Sequence, residues 1–118
     1  MTLAANIAVA LVALLHVYIL ILEMFLWDTP RGRKTFRLTS EFATASKTLA
    51  ANQGLYNGFL AAGLIWGLIL GPGGGPVKLF FIACVFTAGV FGGLTANRRI
   101  LLVQALPAAI AVILLLLS

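Results

Sequence analysis

The chain has 118 residues, 62% hydrophobic and 9% charged, with a formal net charge of +5. Soluble domains run at roughly 45–50% apolar and about 25% charged residues, so this composition excludes a soluble domain and predicts one membrane domain over residues 1–118. The positive charge raises nucleic acid as a partner, but the basic residues flank apolar runs, which excludes that reading.

Four runs approach the ~20 apolar residues that cross a bilayer: about 3–27, 49–70, 77–97 and 100–117. They predict an all-α, polytopic membrane protein, a four-transmembrane-helix bundle. The first run holds no basic residue before Arg31, so it reads as a span and not as a cleaved signal. It carries His16, Glu23 and Trp27 on one stripe: seven residues at 100° each leave His16 and Glu23 about 20° apart, and Trp27 lies about 40° further on.

Residues 28–48 form a polar connection with Arg31, Arg33, Lys34, Arg37 and Lys47. Thr39 or Ser40 suits an N-cap and Glu41 a first helical turn, so the second helix is expected to begin near Ser40. That helix opens its apolar part with Asn52, Gln53, Tyr56 and Asn57. GPGGGP at 71–76 is a tight turn rich in helix breakers. Asn97, Arg98 and Arg99 leave almost no loop between the third and fourth helices, which therefore form a hairpin. Gln104 stands one turn into the fourth, and Pro107 is expected to kink it. Gly54 and Gly58, Gly63 and Gly67, and Gly89 and Gly93 have the spacing of close helix contacts in lipid. Cys84, the one cysteine, reads as a small packing residue.

Seven of the eight Lys and Arg residues fall in the first and third connections, and the other, Lys78, follows the second. Loops rich in Lys and Arg stay cytoplasmic. The expected location is a bacterial inner membrane, multi-pass, with both termini periplasmic or extracellular and both basic loops cytoplasmic. Trp27 then anchors the cytoplasmic interface, with Glu23 about 6 Å inside it at 1.5 Å per residue.

This sidedness puts most intramembrane polar groups at one level. Polar groups in lipid face the bundle interior or a cavity, so a pocket open to the cytoplasm is expected at inner-leaflet depth. Its candidate ligand-binding residues are His16, Glu23, Asn52, Gln53, Tyr56, Asn57, Asn97, Arg98, Arg99 and Gln104. Glu23 and Tyr56 are the candidates for catalysis. Glu23 serves as acid, base or counter-ion, or else pairs with Arg98 or Arg99, or takes amide hydrogen bonds, only to lock the helices. His16 relays protons or binds a ligand, or is neutral and bonded to a helix carbonyl. The amides orient a head group, or they cross-link helices. The sequence holds no phosphate loop, nucleophile–base pair or metal motif, and implies no cofactor. The expected partners are membrane lipid, a small amphipathic ligand, and further copies of the chain in a dimer or trimer.

HVYILILEMFLW from His16 to Trp27, NQGLYNGFLAAGL from Asn52 to Leu64, and TANRRILLVQALPAAIA from Thr95 to Ala111 together resemble the domain-of-unknown-function 1304 family of small bacterial integral membrane proteins. The resemblance covers nearly the whole chain. It implies four spans, an inner-membrane location and no established activity. A second, looser similarity is to membrane-associated glutathione and eicosanoid proteins, which have four helices and form trimers. Lys47 and Asn52 fall near the basic and amide positions of their second helix, and Gln104-x-x-Pro107 is similar to a stretch of their fourth. The arginine of their pattern is missing, and Tyr56 stands where its glutamate would follow Asn52.

Overall fold

The computed structural model describes residues 2–118, and all regular structure among the described residues is helical. Helix α1 is Thr2–Phe25, α2 Pro30–Phe36, α3 Ser40–Ile69, α4 Gly75–Thr95 and α5 Leu106–Leu117. A 3-10 turn at Gly71–Gly74 joins α3 to α4, and a π turn at Leu101–Ala105 leads into α5. The chain divides into two compact units, one of residues up to Leu14 together with Leu60–Ser118, the other Leu15–Phe59. Each is described by itself.

The first unit is built on Val9, Val12 and Ala13 of α1, Leu64 of α3, Ile82 and Val85 of α4, and Ala108 and Ala111 of α5. Two glycine pairs set how close its helices come. Gly63 and Gly67 of α3 face Phe81 and Lys78 of α4, and Gly89 and Gly93 of α4 face Ala105 and Leu101. A Cβ on Gly89 would stand 2.7 Å from the Ala105 backbone nitrogen. Gly71 takes φ +65°, the left-handed turn that glycine adopts without a steric penalty. Near Pro107 the helix widens: the Leu106 N–H reaches back five residues to the Leu101 carbonyl. A proline lacks an N–H and crowds the carbonyl four residues before it, and a π turn is one way a helix absorbs that misfit. Asn97 shapes the turn between α4 and the π segment, its Oδ1 accepting the Arg99 N–H at 2.9 Å.

The second unit contains the end of α1, all of α2 and the first two-thirds of α3. Within residues 28–48, where the sequence predicts a polar connection up to a helix start near Ser40, the structure has a further helix, α2. Thr29 caps α2, its Oγ1 accepting the Gly32 N–H at 3.3 Å and donating to the Leu26 carbonyl at 2.6 Å. Pro30 sits at the start, where a missing N–H costs nothing. Arg37 closes α2 in the left-handed conformation, φ 57°. Thr39 then caps α3, its Oγ1 accepting the Phe42 N–H at 3.1 Å, so α3 opens at Ser40. The third glycine pair works here: a Cβ on Gly54 would meet Met24 Cγ at 2.6 Å, and one on Gly58 would meet Leu20 Cδ1 at 2.6 Å.

Burial by size is inverted relative to a soluble protein. Among the described residues, eight of the fourteen buried hydrophobic residues are alanines: Ala5, Ala13, Ala43, Ala50, Ala61, Ala105, Ala108 and Ala111. Leu3, Leu49, Ile69 and Leu94, by contrast, are 74%, 73%, 78% and 75% exposed. Among the described residues, two helical segments are long and apolar enough to cross a membrane, Thr2–Phe25 and Gly71–Thr95. Leu101–Leu117 is apolar but shorter. Of the four expected spans, α3 does not qualify by composition, because Asn52, Gln53 and Asn57 dilute the apolar character of its middle.

Candidate functional site

The chemistry of the second unit centres on Glu23. This residue is 7% exposed, close to the end of α1. The Asn57 amide of α3 donates through Nδ2 to its Oε1. The close approach at Gly54 makes this reach possible, since an added Cβ there would stand 3.1 Å from the Glu23 Cβ. Asn57 falls between Gly54 and Gly58 in sequence, at the edge of the α3 face that meets α1. His16, one stripe-step back along α1, is fully buried within the same unit.

The remaining amides of the NQGLYNG stretch point elsewhere. Asn52 and Gln53 are exposed, and Tyr56 is exposed and packs edge-on to Phe59 at 5.6 Å. Of the expected polar cluster, the structure therefore joins Glu23 to Asn57 alone among the α3 side chains. Asn97, Arg98, Arg99 and Gln104 belong to the first unit. There Asn97 is used in its own turn, Arg98 and Arg99 are exposed, and Gln104 is half-buried.

Next to Glu23 along the chain, the end of α1 is pinned by polar contacts. Trp27 Nε1 donates to Ser46 Oγ at 3.0 Å, and its ring packs on Phe36 at 4.8 Å. Asp28 accepts from Thr44 Oγ1 at 2.8 Å and from Arg33 Nη1 at 2.9 Å. The Thr44 hydrogen bond first, then the Arg33 hydrogen bond and the charges of Arg33 and Lys47, hold the Asp28 carboxyl below its ordinary value. Arg31 Nη2 donates to the Tyr18 hydroxyl at 2.8 Å.

Sequence reasoning missed one polar pair. In the first unit Lys78 is 6% exposed, and its Nζ donates to Asn6 Oδ1 at 2.8 Å. A buried lysine thus stands just after the GPGGGP turn. The sequence offered no signal for the pair, since 72 positions separate the two residues. The same unit has a shallow apolar groove of about 530 Å³ on α4, lined by Phe80, Ala83, Cys84, Thr87, Ala88 and Phe91. It includes none of the candidate polar residues. No cluster of metal-binding side chains occurs among the described residues.

Comparison with known proteins gives the family. The chain belongs to the family described as protein of unknown function DUF1304, whose pattern matches residues 10–116. It is similar to the uncharacterized protein YpaA of Lactococcus lactis, 31% identical over 115 residues that cover 96% of this chain and 97% of the relative. No solved structure matches it.

Proposed function

We propose that this member of the family is a multi-pass protein of the bacterial inner membrane whose Glu23–Asn57 pair holds the polar head of a small amphipathic molecule. The inverted burial supports the membrane. Small residues let helix backbones approach where lipid removes the hydrophobic drive, and large exposed apolar surface calls for a cover. In this reading all four apolar helices cross, the basic residues 31–47 and 98–99 face the cytoplasm, and both termini face outward.

The observation that carries the ligand reading is the buried carboxyl of Glu23 with Asn57 beside it. An ionised carboxylate offers about four acceptor positions, and one amide donor takes one. Glu23 acts as counter-ion or hydrogen-bond acceptor for that head group. An ionisable residue at this depth is a functional candidate by default. In this reading further copies of the chain assemble with it as a dimer or trimer.

Native mass spectrometry of protein released gently from its own membranes tests this. The wild type is expected to carry a specific non-lipid or single-lipid mass, and Glu23→Gln to lose it. A second reading, a helix lock in an accessory protein, is favoured by the tight Gly54 approach. It predicts no retained molecule in either form and a loss of stability in the variant.

A further inference from the structure

The surface of the second unit carries another polar arrangement, one the Glu23–Asn57 pair does not use. Arg31 of α2 is exposed, yet its guanidinium is held. Nη2 donates to the Tyr18 hydroxyl at 2.8 Å, and Cζ lies 5.7 Å from the Tyr18 ring centroid. Such a cation held over an aromatic ring is pre-organised. A guanidinium has five N–H donors, and Tyr18 takes one. The nearest acidic residue in sequence, Asp28, is already bound by Arg33 and Thr44. Lys34, three residues on and exposed, adds a second positive charge on the same side of α2.

The ground under this cation is apolar. Ile21 and Phe25 follow Tyr18 at the third and seventh positions of α1, on its face, and they are 40% and 68% exposed. A partner for this surface must bring an anion to Arg31 and Lys34 and an apolar body to Tyr18, Ile21 and Phe25.

We propose that Tyr18, Arg31 and Lys34 form a binding site for the phosphate head group of an anionic phospholipid, whose chains lie on the apolar face of α1. The inference rests on the membrane part of the reading above and is independent of the Glu23 ligand. A planar guanidinium matches a phosphate with two parallel hydrogen bonds, and basic residues beside a membrane span attract anionic lipid.

The test is to place the full chain in bilayer discs of equal phosphatidylglycerol and phosphatidylcholine, then count the lipids that stay with the protein by native mass spectrometry. The wild type is expected to enrich phosphatidylglycerol. Arg31→Gln should lower that enrichment about fivefold, the effect of one basic residue at an anionic surface. Tyr18→Phe, which leaves the charge but frees it, should lower it less, and Arg98→Gln should leave it unchanged. Entry into the discs and helical circular dichroism check that each variant is folded. Equal retention of the two lipids by the wild type overturns the proposal. So does an Arg31→Gln protein that enriches as the wild type does, or an Arg98→Gln loss as large as that of Arg31→Gln. A protein that fails to enter the discs at all would refute the membrane reading instead.

Discussion

The Gly89 seam of the first unit and the Gly54–Gly58 seam of the second close on different neighbours. In the first unit, Gly89 stands against backbone, the Ala105 nitrogen, while Gly63, Gly67 and Gly93 have the side chains of Phe81, Lys78 and Leu101 nearest. The buried cation of that unit, Lys78, is satisfied by Asn6. In the second, Gly54 and Gly58 of α3 have the flexible side chains of Met24 and Leu20 nearest, whereas Gly32 of α2 is packed against the backbone of Leu26 and Trp27. Polar groups crowd the end of α1 there: Glu23, Trp27 and Asp28 each have a partner on α2 or α3. The comparison teaches where each part can yield. A seam against backbone has one spacing, whereas a seam against long side chains can yield as they change rotamer.

The strongest way to break this contrast is to add one methyl group to each seam. Gly89→Ala should destabilise by about 3 kcal/mol, the upper end for overpacking, because the obstacle is backbone. Gly58→Ala should cost about 1 kcal/mol, since Leu20 can turn away. Thermal unfolding in detergent measures both, and equal costs would remove the distinction. Next in size is the Glu23–Asn57 bond. A double-mutant cycle with Glu23→Gln and Asn57→Ala should give a coupling of about 0.6 to 1.7 kcal/mol, the range for hydrogen bonds between membrane helices. Lys78→Met, which removes the bond to Asn6 and keeps the apolar stem, should cost about 0.6 kcal/mol. A value several times larger would make that pair the main polar fastening of the chain.

The smallest effect expected is a pH effect at Asp28. Its carboxyl titrates below the ordinary value in the folded chain. Its contribution is therefore complete above the unfolded pKa of about 3.9 and is lost as pH falls through the lower, folded value. Melting temperatures followed into that acid range should fall more steeply for the wild type than for Asp28→Asn.

Much of this was legible in the sequence, for reasons that belong to local chemistry. Thr39 announced the start of α3 because a hydroxyl before Ser40-Glu41 caps a helix. Gly71–Gly74 announced a turn because only breakers stand there. Helix α2 was missed although its signal was present: Thr29 followed by Pro30 is a cap and a first position, but five basic residues nearby made the stretch read as loop. Which amide would meet Glu23 was also half-visible. Gly54 and Gly58 mark the α3 face that meets α1, and Asn57 lies at the edge of that face, whereas Asn52, Gln53 and Tyr56 turn away from it. The Asn6–Lys78 pair was out of reach, since 72 residues separate its members and a lysine beside a turn reads as a solvated charge.

The measurement that tests the central claim most directly is labelling of the native protein, in its own membranes and at mildly acidic pH, with a lipid-soluble carbodiimide that modifies carboxyl groups, followed by peptide mass spectrometry. If the Glu23–Asn57 pair is a site open to an amphipathic molecule, Glu23 acquires the adduct in the folded protein, and excess ligand recovered from the wild type protects it. If Glu23 stays unmodified until the protein is unfolded, the pair is a sealed lock between helices and the binding reading is contradicted.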